Sequence, residues 1–238
     1  MFVPTLPPPA PPHEAVAYLA DGVRRLGGLG HDPVPYERVR LDPFVGAEIA
    51  DAYMCAPPRD PCAFDAYAAL SVQTVRQYHF LIGRIEYGGL GMTIRAVDDD
   101  PYPDAASLLD DLRARRLRVF ASAASGNPHP YLSDGENDMF RAVHDAFGHG
   151  ASGRGFDAHG EEAAWLKHCQ LYTPLARRAL ATEIRGQTCA LAFRGRGCFP
   201  EQKAVLLPRR FSDPRSVCID RDPVRASVGK GYPRKLVP

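Results

Sequence analysis

Two histidines stand five positions apart in the run Glu136-Asn137-Asp138-Met139-Phe140-Arg141-Ala142-Val143-His144-Asp145-Ala146-Phe147-Gly148-His149. Two neutral imidazoles joined by one carboxylate hold a divalent transition metal, and around Fe(II) this donor set leaves positions free for chemistry. The run therefore points to a metal enzyme, with a non-haem iron oxygenase as the leading chemistry. Asp145 suits a group that orients a histidine or ends a helix better than it suits a primary ligand.

On an ideal α-helix a separation of five puts two side chains on different faces. Convergence of His144 and His149 then requires the helix to end near Gly148, or the metal to lie at that end. The third ligand has to come from farther along the chain. Asp157 reads as the cap of a helix from Ala158 to about Tyr172, and Thr173-Pro174 as a cap followed by proline at the first helical position. The next helix, Leu175 to Ile184, carries Glu183 near its end before Gly186, and a short turn between the two helices would return Glu183 to the histidines. Arg185 beside it either holds a substrate carboxylate or only balances the acidic pair Glu161-Glu162. Glu161, Trp165 and His168 share one approximate face of the preceding helix and are candidates to line a substrate cavity, with Glu162 a further candidate ligand. His129 and Tyr131, in the loop Ser122 to Gly135, are candidates to cover the site.

The elements around these residues follow from local pattern. Prolines 4, 7, 8, 9, 11 and 12 oppose regular structure in a segment spanning residues 1–15. Ala15 to Leu26 predicts a short helix, Gly30 to Pro61 loops and short elements, and Phe64 to Ile85 one long helix or two broken ones. Met92 to Val97 and Leu117 to Phe120 predict strands, separated by a helix over Asp104 to Arg115 with Leu108, Leu109 and Leu112 as its apolar stripe. Met139 to Phe147 has a helical pattern. Gly88, Gly89 and Gly91 lack the strand-linked spacing of a phosphate fingerprint, so no nucleotide is assigned to them. The expected class is α+β, predominantly helical with small strand elements, with a single metal-dependent catalytic domain over residues 16–238.

Arg118-Val119-Phe120, a proline-containing loop, Glu136-x-Asp138 and His144-Asp145-x-x-Gly148-His149 together resemble the catalytic core of the pterin-dependent aromatic amino acid hydroxylases. Thr182-Glu183-Ile184 resembles their short segment bearing the acidic iron ligand. The resemblance covers roughly residues 117–186 and suggests a divergent relative with a compact catalytic domain of that kind. It implies a non-haem iron held by His144, His149 and Glu183, molecular oxygen activated at open positions, electrons from a reduced pterin, and a hydroxyl group installed on an aromatic or amino-acid-derived molecule.

Composition narrows the alternatives. The 238 residues carry a formal charge of +1, which gives no reason to expect nucleic acid or an acidic membrane surface as partner. Arg115-Arg116 and Arg209-Arg210 read as solvated pairs. The six cysteines form no CxxC pair, so neither a zinc knuckle nor a disulfide framework is expected. Met1-Phe2-Val3-Pro4 does not resemble the start of a signal peptide, and a cytoplasmic setting is expected. The partners expected are a small-molecule substrate, oxygen and an external reductant, with a homodimer conceivable through the apolar helices. A dinuclear iron oxidase using Glu161, Glu162, His168 and Glu183 is the first alternative. A zinc-dependent hydrolase with Glu161 or Asp145 moving protons is the second, and a purely structural metal module the third.

Overall fold

Apolar residues at three- and four-residue spacing dominate the chain, and in the computed structural model most of it is helical. The structure describes residues 4–195 and 199–220. Met1 to Val3, Cys198 and the last stretch of the expected domain, residues 221–238, lie outside them. In chain order the described elements are α1 (Ala17–Gly27), β1 (Val39–Arg40), α2 (Pro43–Cys55), α3 (Phe64–Ile82), β2 (Thr93–Val97), α4 (Ala105–Arg113), β3 (Arg116–Phe120), α5 (Asp134–His144), α6 (Ala158–His168), α7 (Pro174–Ala181), α8 (Gln187–Arg194) and β4 (Cys218–Ile219). No helix among the described residues is long and apolar enough to cross a membrane.

The strands are few and paired in twos. β2 and β3 run parallel in the register Thr93↔Arg116 to Val97↔Phe120. A parallel pair needs a crossover, which α4 supplies, with Leu108, Leu109 and Leu112 fully buried. β1 and β4 pair antiparallel through Val39↔Ile219 and Arg40↔Cys218. The sequence pattern places α1, α3, α4 and the β2–β3 pair within a few residues of where they stand.

Helix α2, with 13 residues, corrects the expectation of only loops and short elements between Gly30 and Pro61. Asp42 accepts hydrogen bonds from the backbone N–H groups of Phe44 and Val45, and Pro43 occupies the first turn. An acidic N-cap followed by proline is a start signal, so the residues that look like breakers begin a helix. Residues 4–15 of the proline-rich segment have no helix or strand and lie along the domain. His13 N donates to Gly153 O, and Leu6 packs beside Leu41, Ile49 and Tyr53. The cysteines within the described residues, Cys55, Cys62, Cys169, Cys189 and Cys218, are free.

Three apolar clusters make the core. One gathers Tyr67, Leu70, Phe140, Trp165 and Leu180, and a second gathers Leu19, Leu81, Leu109, Val143 and Phe147. A third joins α2 to α8 through Ile49, Tyr53, Cys189 and Phe211. Full burial of one such aliphatic or aromatic side chain is worth about 1.5–3 kcal/mol. Helix α5 and its continuation are the wall shared by the first two clusters, with Phe140 in one and Val143 and Phe147 in the other. His144 sits between Phe140 and Phe147 in sequence, so packing on both sides fixes the helix that presents it.

Candidate metal centre

The helix bearing both histidines does not stop between them. Ser133 Oγ accepts from Glu136 N while the Glu136 carboxylate accepts from Ser133 N, a capping box that starts α5. From Asp145 to Gly150 the same helix widens into a π segment. Its hydrogen bonds join residues five apart, which is the spacing of His144 and His149. The wider turn brings the two imidazoles together edge to face, their ring centroids 4.8 Å apart. The expected termination near Gly148 is thereby corrected: the helix changes pitch and continues. Gly148 serves close approach instead, because a Cβ there would lie 3.0 Å from His144 Nδ1 and 3.2 Å from Ala164 Cβ.

The carboxylate that meets this pair belongs to Glu161. Its Oε2 is 3.4 Å from His144 Nε2 and its Oε1 is 3.4 Å from His149 Nε2. One donor atom from each of His144, His149 and Glu161 falls within 4.8 Å of the others. Asp157 fixes the start of α6 by accepting from His159 N and Gly160 N, and Glu161 is in the first turn that follows.

Orientation of His149 follows from its other nitrogen. Nδ1 lies 3.0 Å from the carbonyl oxygen of Arg154. A carbonyl only accepts, so Nδ1 carries the hydrogen and the Nε2 lone pair faces Glu161. A lone pair opposite a carboxylate is repulsive unless a proton or a metal cation lies between them. Burial by itself disfavours the imidazolium, yet the Glu161 carboxylate overrides this and raises His149 to about 9. Burial likewise works against the Glu161 anion, and the two imidazoles outweigh it, holding the carboxyl well below the ordinary range. The space between His149 Nε2 and Glu161 Oε1 therefore suits a cation, whether a proton or a metal ion.

His168 adds a third imidazole beside the two histidines and Glu161. Its ring centroid is 5.7 Å from that of His144, and Phe140 stacks near both rings at 6.3 Å. His168 Nε2 donates to Gln77 Oε1 at 2.8 Å, so its buried Nδ1 keeps a lone pair, with no hydrogen-bond partner among the described residues. Burial, reinforced by His144 and His149, pushes its pKa well down. Phe156 stands edge-on to His149 at 5.1 Å. Asp145 follows His144 directly, and burial raises it to about 6.

Glu183 lies outside the histidine group, and the expectation of it as the third ligand is corrected. Helix α7 passes into a second π segment, Thr182–Gly186, and runs on through α8 rather than ending before Gly186. That continuation carries Glu183 to α3 and to the loop before α5. Its Oε1 accepts from Tyr67 Oη at 2.5 Å and faces His129 Nε2 at 3.1 Å, and its Oε2 accepts from Gln187 Nε2 at 2.8 Å. His129 Nδ1 accepts from the backbone N–H groups of Tyr131 and Leu132, so Nε2 is the donor to Glu183. With all these bonds made, the network fastens a loop to two helices.

The remaining candidates are likewise engaged. Arg185 grips Glu162 through Nε and Nη2 at 2.8 and 2.7 Å, gives Nη1 to Phe211 O, and lies over the Trp165 ring. It therefore balances an acid, the other role expected of it. Glu162 is held in that pair and is not free to ligate. Tyr131 donates to Asp60 O and packs against Tyr67 and Phe64. Trp165 is wholly buried in the core. Of the five expected substrate contacts, only Glu161 and His168 stand at the histidine pair. Tyr67 and Gln77 escaped attention, yet a signal existed: Tyr67, Leu70, Thr74, Gln77 and Leu81 form a buried stripe on α3 with hydrogen-bonding groups where a core helix would carry hydrocarbon.

Comparison with family models, with curated proteins and with solved structures finds no match for this chain. What the chain does must be read from its own side chains, and the likeness to the hydroxylases is carried by the short motif alone.

Proposed function

We propose that this chain is a metal-dependent enzyme whose centre is held by His144, His149 and Glu161, and that it carries out iron-dependent oxygenation of a small molecule. The convergence of two Nε2 atoms on one carboxylate, with the opposite nitrogen of His149 already pinned to a carbonyl, is the observation that carries this reading. Two imidazoles and a carboxylate leave coordination positions open on Fe(II), where bound iron would supply oxygen activation. The chain's own part is positioning and shielding. Phe140 and Phe156 flank the histidines, while His144 and Glu161 side chains keep 13% and 18% exposure and mark the side from which a substrate enters. Electrons must come from outside the chain, and the motif's likeness makes reduced pterin the first reductant to try.

Asp145 favours a second reading, zinc-dependent hydrolysis. A carboxyl raised to about 6 beside the site suits proton transfer from an activated water. The dinuclear alternative is weaker, because Glu162 and Glu183 are both engaged elsewhere.

Anaerobic titration of metal-free protein with Fe(II) and with Zn(II), followed by oxygen uptake with supplied reductants, separates these readings. Tight binding of one iron and reductant-dependent oxygen consumption are expected. Zinc-supported, oxygen-independent turnover would transfer the proposal to hydrolysis, and failure of both metals to bind would end it.

A further inference from the structure

Away from the histidines, five arginines converge on one cleft. Arg177, Arg178, Arg209, Arg210 and Arg215 line a space of about 690 Å³, with Asp213 the only acidic side chain in its wall. The whole chain is almost neutral at +1, so this concentration is not a by-product of a basic composition. Two of the five charges are compensated: Arg215 holds Asp213 at 2.8 Å and Arg210 holds Glu48 at 3.1 Å. Arg178 and Arg209 have no carboxylate partner among the described residues, while Arg177 lies within reach of the Asp213 charge. Arg177 spends its Nε and Nη2 on the carbonyl oxygens of Cys169 and Tyr172, which leave its charge intact. Arg178 has a buried Nε with no hydrogen-bond partner among the described residues, and the exposed Arg209 guanidinium makes no ion pair with any of them.

The helix beneath adds positive potential. Pro174 and Leu175, the first residues of α7, form part of the cleft. Thr173 is at the N-cap but makes no capping bond, its Oγ1 accepting from Gln73 Nε2 instead, and the first turn contains no acidic residue. A helix N-terminus favours anions, and Asp213, whose carboxyl Arg215 and, through its charge, Arg177 hold below the ordinary range, is the acidic group in the same cleft. The wall opposite is held in place, because Arg185 Nη1 bonds Phe211 O and Ser216 Oγ.

We infer that this cleft binds the phosphate chain of a small oligophosphate. Guanidinium forks match phosphate oxygens in bidentate fashion, and the volume falls in the range of about 300–1,000 Å³ usual for small-ligand sites. The one aromatic ring beside the arginines, Phe211, is buried and covered by Arg210. Among the described residues no ring in the wall is free to stack on a base, so these residues recognise the phosphates and not what they are attached to. Tripolyphosphate and a nucleoside triphosphate should bind alike.

The test is calorimetric titration and thermal melting of the full chain with tripolyphosphate, adenosine triphosphate and a single-stranded oligonucleotide, at matched ionic strength. Melting temperature should rise with tripolyphosphate by mass action, and both triphosphates should bind with affinities within a factor of a few. Arg178→Gln and Arg209→Gln should each weaken binding about tenfold or more, the loss of one charged hydrogen bond. Arg24→Gln, on a different face, should change nothing. Melting each variant without ligand shows that the fold persists. The inference fails if tripolyphosphate gives no shift, if both cleft variants bind as the parent does, or if only the oligonucleotide binds, which would make the cleft a nucleic-acid surface.

Discussion

His144 and His149 face opposite oxygens of one carboxylate, each Nε2 lying 3.4 Å from Glu161. In the proposed metal centre this symmetry gives Glu161 the place of third ligand and leaves Glu183 a structural role. Glu161→Gln should therefore lower affinity for Fe(II) on the order of a hundredfold, at least the upper end of what loss of a supporting group costs. Glu183→Gln should leave metal affinity within a few fold and reduce stability by roughly 1–3 kcal/mol, because Tyr67 and His129 lose an anionic acceptor in a buried place. Metal titration and denaturant unfolding on both variants decide it. The opposite pattern, metal lost with Glu183 and kept without Glu161, would restore the ligand set implied by the motif.

The histidine pair was visible in the sequence, and the way it is assembled was not. Period counting assumes a constant pitch, so a separation of five looked like two faces and invited a helix end at Gly148. A π segment has no strong compositional mark: the first runs on only through Ala151 and Ser152 to Gly153, while helix-forming residues continue on both sides of the second. The same cause hid the role of Glu183: with α7 expected to end before Gly186, nothing directed its carboxylate toward Tyr67. Glu161 was seen on the correct face of α6 and given a place in a substrate cavity, since pattern alone cannot say which of several acids will meet two histidines. Asp42-Pro43 shows a different failure, in which a start signal was read as a break.

Close approach of Gly148 to the His144 ring gives a second test. Gly148→Ala places a methyl group 3.0 Å from His144 Nδ1 and 3.2 Å from Ala164 Cβ, inside ordinary contact. The ring must shift by a few tenths of an ångström to admit it. Metal affinity should fall roughly 10–100-fold, the range expected when a ligand's support is disturbed, while circular dichroism stays close to the parent's. Unchanged affinity would mean that His144 is not held where the ring now lies.

Arg185 and Glu162 form a buried bidentate pair, both nearly inaccessible to solvent. Arg185→Met strands the carboxylate, which should cost about 3–5 kcal/mol, on the order of 10 °C in melting temperature for a chain of this size. Replacing both, as Arg185→Met with Glu162→Leu, should recover most of that loss, since two apolar groups need no partner. A double variant no better than the single one would show that Arg185 contributes mainly through Phe211 O and Trp165 rather than through the ion pair.

Asp32 supplies the pH dependence. Burial raises the pKa of its carboxyl, but hydrogen bonds from Lys167, Tyr36 and Gln170 and the Lys167 charge more than offset that and hold it below the ordinary carboxylate value. Lys167 Nζ is 2.7 Å away and both side chains are nearly buried. A carboxyl whose folded pKa is depressed contributes stability that is complete above its unfolded value, about 3.9, and that is lost as pH falls through the folded value. Asp32→Asn should therefore be less stable than the parent at neutral pH, where it leaves the Lys167 ammonium without its anion. The gap between the two should then narrow as the solution is acidified below the ordinary carboxylate range. Urea unfolding of both proteins across that range measures the gap directly. A difference that stays constant down to the lowest pH at which both remain folded would show that Asp32 is not ionised against Lys167 in the native protein.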